Sequence, residues 1–189
     1  MERELAPEPD EKRIYDVVLL GSCYDYESMR ADWQKKLSAP MAKALDDACD
    51  IFLSDGKTPL QEALVRAWNQ NNLPIQGVDF LSLFYWLDNY TRGYDRVQLI
   101  RSIKDAHVHV FGELSCDDES ATKGWEHYLS GMSNVTIHPS VSYAESLEIL
   151  KQSKICLNSS PFFKNGSHER MFAGPACGAL VVTNDNLYV

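Results

Sequence analysis

The chain has 189 residues, of which 44% are hydrophobic and 24% are charged, a balance typical of one soluble globular domain. These proportions exclude a disordered chain, a collagen-like fibre and a coiled coil. The 18 basic and 27 acidic residues leave a formal net charge of -9, which argues against a broad nucleic-acid-binding surface. A small anionic ligand remains compatible with this charge, because backbone amides and one or two basic side chains bind phosphate locally.

The N-terminal residues 1–13 are charged and contain prolines, which predicts a flexible leader without the apolar core of a signal peptide. No apolar run approaches the roughly 20 residues that span a bilayer, so we expect no transmembrane segment. The cysteines are scattered and form no CxxC pair, which favours reduced thiols over a disulfide framework or a zinc knuckle. Together these features predict a cytoplasmic protein. The cysteines are Cys23, Cys49, Cys116, Cys156 and Cys177.

The first half of the chain predicts one strand followed by a helical segment over about 27–95. Residues 14–21 (IYDVVLLG) are apolar, rich in β-branched residues and followed by a serine, which is typical of a buried strand. Residues 27–50 carry apolar side chains at three- and four-residue spacing, and Pro40 is expected to divide them into two helices. A third helix is expected to begin near Thr58, and the apolar residues of 78–90 predict a further, buried helix.

Strands and helices alternate in the second half. A separate amphipathic helix is expected over 96–104 and a short one over 125–129, while Ser142 and Glu145 form the capping-box signature of another. The alternation predicts right-handed βαβ units and a parallel sheet, hence an α/β Rossmann-like fold flanked by helices, in one domain over 14–189. The strands expected in this half cover 107–112, 134–138, 154–158 and 178–185.

Ligands of an open parallel sheet bind at the carboxyl ends of the strands, so the loops that follow the strands hold the candidate residues. The loop 164–170 (KNGSHER) has the most informative chemistry, because it leaves a buried strand and enters a predicted helix. Asn165 and Gly166 permit positive φ, which would turn successive amides into one concavity near the helix N-terminus. His168 and Arg170 are donors suited to phosphate oxygens. The loop therefore predicts a pyrophosphate cradle, with an ordinary surface turn as the alternative.

Residues 153–185 resemble the donor-binding half of GT-B glycosyltransferases, most closely the group-1-type, spore-maturation-like branch. In that family a strand is followed by a loop with His or Arg, a helix ending in Ala-Cys-Gly, and an apolar strand ending in Thr-Asp or Ser-Asp. Arg170, Phe172, the triplet at 176–178 and the apolar residues at 181–183 fit this pattern. The resemblance is good over 96–185 and patchy over 14–95.

The resemblance implies a transferase that takes a sugar from a nucleotide-diphosphate sugar, with a UDP-sugar favoured and with neither a metal nor another cofactor. Arg170 is then expected to stabilise the charge that develops on the leaving diphosphate, with His168 in support. The residues expected to bind the donor are Gly21, Ser22, Ser140, Val141, Ser142, Asn165, Gly166, Ser167, His168 and Arg170.

Two positions depart from the family pattern. Many relatives have a ribose-binding glutamate where this chain has Ala173, and Pro175 falls inside the expected helix. The family places its acceptor site in a separate N-terminal domain, and no second Rossmann unit is evident here, so the resemblance suggests a missing N-terminal acceptor domain. The family also continues with further helices after its last strand, so the resemblance suggests a donor domain truncated at its C-terminus. The sequence does not identify the acceptor. The alternative to a transferase is a catalytically inactive nucleotide-sugar-binding or regulatory module.

Two other patterns carry chemistry of their own. His107 and His109 place two imidazoles on one face of a strand, a spacing that metals use, but no third ligand is evident and a plain strand end is favoured. Cys23 follows a strand and a Gly-Ser turn, which loosely resembles a thiol nucleophile. A buried, inert cysteine is the simpler expectation.

Overall fold

The computed structural model describes residues 6–115 and 122–188. Within them, five parallel strands form one sheet in the order β3-β2-β1-β4-β5. This arrangement confirms the predicted Rossmann-like α/β fold. The predicted reduced thiol of Cys116 lies outside the described residues. The strands are β1 Tyr15–Leu20, β2 Val108–Phe111, β3 Val135–His138, β4 Ser153–Asn158 and β5 Leu180–Thr183.

Seven α-helices accompany the sheet in the described part of the chain. The predicted break near Pro40 is confirmed, since this proline occupies the first turn of the second helix, where a missing N–H leaves no bond unmade. No helix of the described residues is long and apolar enough to cross a membrane. The helices are α1 Tyr26–Lys36, α2 Ala39–Ser54, α3 Leu60–Gln70, α4 Phe80–Ser102, α5 Trp125–Tyr128, α6 Tyr143–Lys151 and α7 Arg170–Ala176.

Helix α4 corrects one prediction. The residues 78–90 and 96–104 were expected to form two helices, whereas α4 runs without a break for 23 residues. Gly93 in its middle marks a close approach rather than a helix end. A Cβ atom at Gly93 would lie 2.7 Å from the carbonyl oxygen of Tyr24 and 3.1 Å from the Cβ of Tyr26. The glycine therefore lets α4 pack directly against the backbone that follows β1.

The apolar side chains form separate clusters, and α4 contributes to two of them. Leu87 belongs to the cluster between α1, α2, α3 and α4, which surrounds Trp33 and Phe52. Val97 and Ile100, further along α4, pack on one face of the sheet. The opposite face is covered by α6 and α7, so the central strands are buried on both sides and read as continuous apolar runs. One helix thus joins the helical segment to the sheet.

The described residues before β1 lie against the turn that precedes β5. A 3₁₀ turn covers Asp10–Lys12, and the Arg13 guanidinium donates a hydrogen bond of 2.7 Å to the carbonyl oxygen of Gly178. Arg13 thereby ties the segment that precedes β1 to the turn that precedes β5.

The substitution Gly93→Ala separates packing from helix propensity. Propensity alone would stabilise the helix by about 1 kcal/mol. We predict instead that the free energy of unfolding falls by about 1–3 kcal/mol, because the added Cβ meets the Tyr24 carbonyl. Urea unfolding measures the difference, with exposed Leu81→Ala in the same helix as the control. A Gly93→Ala protein more stable than the parent would contradict the close approach.

Candidate functional site

A cavity of about 240 Å³ opens at the carboxyl edge of the sheet. Strands β2 and β3 lie on one side of the central strand β1, and β4 and β5 lie on its other side, so the strand order reverses at β1. The cavity adjoins the end of β1 at this reversal. Reversals of strand order are where open α/β sheets bind their ligands. The lining comes from the loops after β1, β2 and β3 and from helices α6 and α7.

The cavity brings together most of the donor-binding residues expected from the sequence. The residues that line it are Gly21, Ser22, Ser140, Val141, Ser142 and Arg170. The residues that do not line it are Asn165, Gly166, Ser167 and His168.

The floor of the cavity is formed by backbone. The Gly21 amide donates a hydrogen bond of 2.9 Å to the carbonyl oxygen of Phe111, which extends the β1–β2 pairing beyond the strands. A Cβ atom at Gly112 would lie 2.1 Å from the carbonyl oxygen of Gly21, so only glycine fits there. The two strand ends therefore approach closely, and the backbone between them is flanked by the side chains of Leu20 and Phe111.

The opposite wall is built by the predicted capping box of α6, which the structure confirms. The Ser142 amide donates to the Glu145 carboxylate at 2.8 Å, and the Glu145 amide donates to the Ser142 hydroxyl at 3.3 Å. This pairing fixes the loop that follows β3. Val141 packs with Leu147 against the sheet cluster and gives the wall an apolar surface.

Two arginines of α4 add positive charge beside the cavity. Arg96 is only 9% exposed, and its Nη1 donates a hydrogen bond of 2.6 Å to the carbonyl oxygen of Ser22. Burial lowers the pKa of its guanidinium, and no carboxylate of the described residues forms an ion pair with it. Arg92 pairs with Asp88 at 2.9 Å and stacks on the ring of Phe162 at 3.7 Å, while its buried Nε has no partner within the described residues.

Arg170 completes this cluster from α7. Its side chain is 17% exposed, and the nearest carboxylate, that of Glu169, lies 4.0 Å from its Nε. Arg170 and Arg92 both lower the pKa of Arg96, so each is close enough to repel its charge. Positive charge that is buried and incompletely paired is costly, and a bound anion would offset that cost. The cluster therefore favours an anionic ligand.

His168 stands beside the cluster without lining the cavity. Burial lowers its pKa, and the charge of Arg170 lowers it further. Its Nδ1 contacts the Glu169 carboxylate. Burial and Arg170 therefore favour the uncharged imidazole, while the Glu169 carboxylate opposes them.

The loop before His168 differs from its prediction. Neither Asn165 nor Gly166 has a positive φ, so the expectation of a left-handed turn at this pair is wrong. The Asn186 side chain donates to the carbonyl oxygens of Phe163 at 2.9 Å and of Gly166 at 3.3 Å. These bonds from the segment after β5 hold the loop in its observed form, and the sequence around the loop contains no sign of them.

Helix α7 supplies a carboxylate that the sequence reasoning missed. Ala173, where the family resemblance led us to look for a ribose-binding glutamate, lines the cavity, and its methyl side chain offers no oxygen. Glu169, one helical turn earlier, lines the same cavity and is 49% exposed. The sequence could have indicated Glu169, because it lies four residues before Ala173 and residues at i and i+4 share a helix face. Pro175 lies in the last turn of α7, which ends at Ala176.

The structure also explains the two other sequence patterns, the thiol-nucleophile pattern at Cys23 and the metal-site pattern at His107 and His109. Burial raises the pKa of Cys23 to about 12, so its thiol is not a nucleophile. The ring nitrogens His109 Nδ1 and His138 Nε2 are 2.9 Å apart, and His107 pairs with Thr136 at 2.8 Å. Within the ranges that the structure describes, no three His, Cys, Asp or Glu side chains are grouped so as to hold a metal ion.

Comparison with known families adds an independent finding. Residues 96–188 match a family model described as glycosyl transferase-like. The match begins at Arg96 in α4, contains Arg170, and covers just under half of the chain. The match shows a likeness to glycosyltransferases over these residues. Comparisons with curated proteins and with solved structures returned no match.

The paired histidines predict a loss of stability in mild acid. Burial lowers the pKa of both His109 and His138, and neighbouring imidazoles lower both further, while Asp16 partly opposes this at His109. The unfolded chain, with an ordinary histidine pKa of 6.5, therefore binds more protons below that pH. We predict that the free energy of unfolding falls as the pH decreases from 6.5 through the folded-state values.

Urea unfolding at about pH 7.5 and about pH 5.5 measures this loss. The substitution His138→Gln should reduce the difference between the two pH values, because it removes one of the paired imidazoles. Equal pH dependence in the parent and in His138→Gln would show that the pair contributes nothing.

Proposed function

We propose that this chain binds a nucleotide-diphosphate sugar in the cavity at the carboxyl edge of the sheet, as the donor-binding part of a glycosyltransferase. The observation that carries the proposal is the position of Arg170 and the buried Arg96 beside a backbone floor of Gly21 and Ser22. Diphosphates suit such a surface, because their oxygens accept bonds from both amides and guanidinium groups. The family match of residues 96–188 supports the same activity.

The lining suggests how a donor would lie in the cavity. The apolar wall with Val141 and Leu147 suits the flat face of a nucleobase. The Glu169 carboxylate suits the ribose hydroxyls, in place of the carboxylate absent at Ala173. The diphosphate then faces the ends of β1 and α7, where the positive charge is concentrated.

The chemical step requires stabilisation of the leaving group. The bond between the sugar and the diphosphate breaks, the sugar gains oxocarbenium character, and negative charge grows on the nucleotide diphosphate. Arg170 stabilises that charge directly, and the field of Arg96 adds to it through the Ser22 loop. The proposal includes transfer without a metal, a UDP-sugar as the favoured donor, a cytoplasmic location, and an acceptor site on a domain other than this sheet.

Removal of Arg170 tests the diphosphate contact. We predict that Arg170→Ala weakens UDP binding by about tenfold or more, because hydrogen bonds to charged groups contribute strongly and specifically. The fold should remain intact, since Arg170 has only the 4.0 Å contact to Glu169 as an ion pair. Calorimetric titration of UDP, GDP and ADP without metal measures the affinities.

Arg66→Ala is the matched control for this titration, because Arg66 is half-exposed on α3 and pairs only with Glu62 along that helix. It should bind the preferred diphosphate as the parent does. An Arg170→Ala protein that binds as tightly as the parent would refute the assigned contact.

Removal of the Glu169 charge tests the ribose contact. We predict that the parent binds the preferred nucleotide more tightly than its deoxyribose analogue, and that Glu169→Gln reduces this preference several-fold. The substitution keeps the size of the side chain and removes its charge. Glu148→Gln, on an exposed face of α6 outside the cavity, is the control. An unchanged preference in Glu169→Gln would exclude Glu169 as the ribose ligand.

A further inference from the structure

A second cavity, of about 460 Å³, lies within the helical segment. It is larger than the cavity at the sheet edge, and none of its lining residues falls within the family match of 96–188. Its walls are the end of α1, the start of α2, the end of α3 and the start of α4. The main apolar contributors are Leu37, Met41, Trp68, Leu73, Leu83 and Trp86.

The chemistry of this lining is apolar and lacks positive charge. Asp79 is the one ionisable residue among the described residues that line it. Its carboxylate already caps α4, accepting hydrogen bonds from the Ser82 amide at 3.2 Å and the Ser82 hydroxyl at 2.6 Å. These bonds lower the pKa of Asp79, so the group stays ionised at neutral pH. The Lys36 ammonium lies 5.7 Å from the centroid of the Trp86 ring, but it is paired with the Asp32 carboxylate at 2.8 Å. Asp79 is therefore the charge that an anionic ligand would meet in the lining, and it disfavours such ligands.

The polar groups of the large side chains are directed elsewhere. The Trp68 indole N–H donates a hydrogen bond of 3.1 Å to the carbonyl oxygen of Pro74, so Trp68 offers only its ring to the cavity. This bond also fixes the loop that forms one wall. Ile75 in that loop and Leu81 at the start of α4, each next to lining residues in the chain, are 67% and 79% exposed. The apolar surface therefore continues outside the cavity.

This cavity is separate from the candidate donor site. Helix α4 starts beside it at Phe80 and reaches the sheet edge at Arg96. At 1.5 Å per residue, the 16 residues between them span about 24 Å. One small molecule cannot occupy both places.

We infer that the helical cavity binds an uncharged molecule with a hydrocarbon body, such as a long-chain alcohol. Its volume lies within the range of ligand pockets, about 300–1,000 Å³, and its lining is mainly apolar, with a carboxylate as the one ionisable group among the described residues. Ser38, Gln76 and Asp79 provide polar atoms for one hydroxyl group. The inference does not depend on the proposed transferase activity.

The test uses the full chain and phenylnaphthylamine, an uncharged fluorescent probe. We expect saturable binding of one probe molecule per chain. Decanol and decanoate have the same carbon chain and differ in charge, so they serve as matched competitors. Decanol should displace the probe at a concentration at least about tenfold lower than decanoate.

Two variants locate the probe. Met41→Trp in α2 and Leu73→Trp in the loop after α3 add bulk to the lining, and each should weaken probe binding about tenfold or more. Val65→Trp adds a tryptophan on an exposed part of α3 outside the lining and should bind as the parent does. Circular dichroism and thermal unfolding confirm that each variant is folded.

The inference is overturned by any of three results. They are the absence of saturable binding to the parent, equal displacement by decanoate, and unchanged binding in whichever of the two lining variants folds.

Discussion

Two neighbouring residues of α4 hold the carboxyl ends of three strands in place, and the candidate site depends on this connection. The Asp95 carboxylate accepts a hydrogen bond of 2.6 Å from Ser159, just after β4, and one of 3.1 Å from the Asn184 amide, just after β5. Arg96 donates its bond of 2.6 Å to Ser22, just after β1. Because one rigid helix makes both sets of bonds, the edge of the sheet keeps a fixed shape.

The same connection concentrates positive charge beside the candidate site. Packing α4 against the β1 loop buries Arg96 without a carboxylate partner among the described residues, and it brings Arg92 and Arg170 into the same field. A cluster of this kind costs stability in the empty protein and gains it on binding an anion. This loss of stability is typical of a preorganised site. In the proposed reaction its charges would need no rearrangement when the leaving diphosphate forms. The helical segment contributes to this chemistry only through α4.

Local sequence signals predicted much of the fold, and long-range contacts account for what they missed. The apolar runs ending in glycine or polar residues marked the strands, and Ser142 with Glu145 marked the start of α6, because these signals act within a few residues. The continuity of α4 was missed because its apolar pattern changes register after Asp95, where the helix passes from the helical cluster to the sheet. Arg96 is 74 residues from Ser22 in the chain, so no local pattern could connect them. The turn at Asn165 was misjudged because Asn186 shapes it from a distance.

The most direct test of the account is the location of a bound nucleotide. Amide resonances of the isotope-labelled chain can be followed while UDP is added without metal. The account predicts that the largest shifts come from Gly21, Ser22 and Gly112 at the strand ends and from Glu169 and Arg170 at the start of α7, all of which line one cavity. Shifts confined to the helical segment around Trp68 and Trp86, or no shifts at saturating UDP, would contradict it.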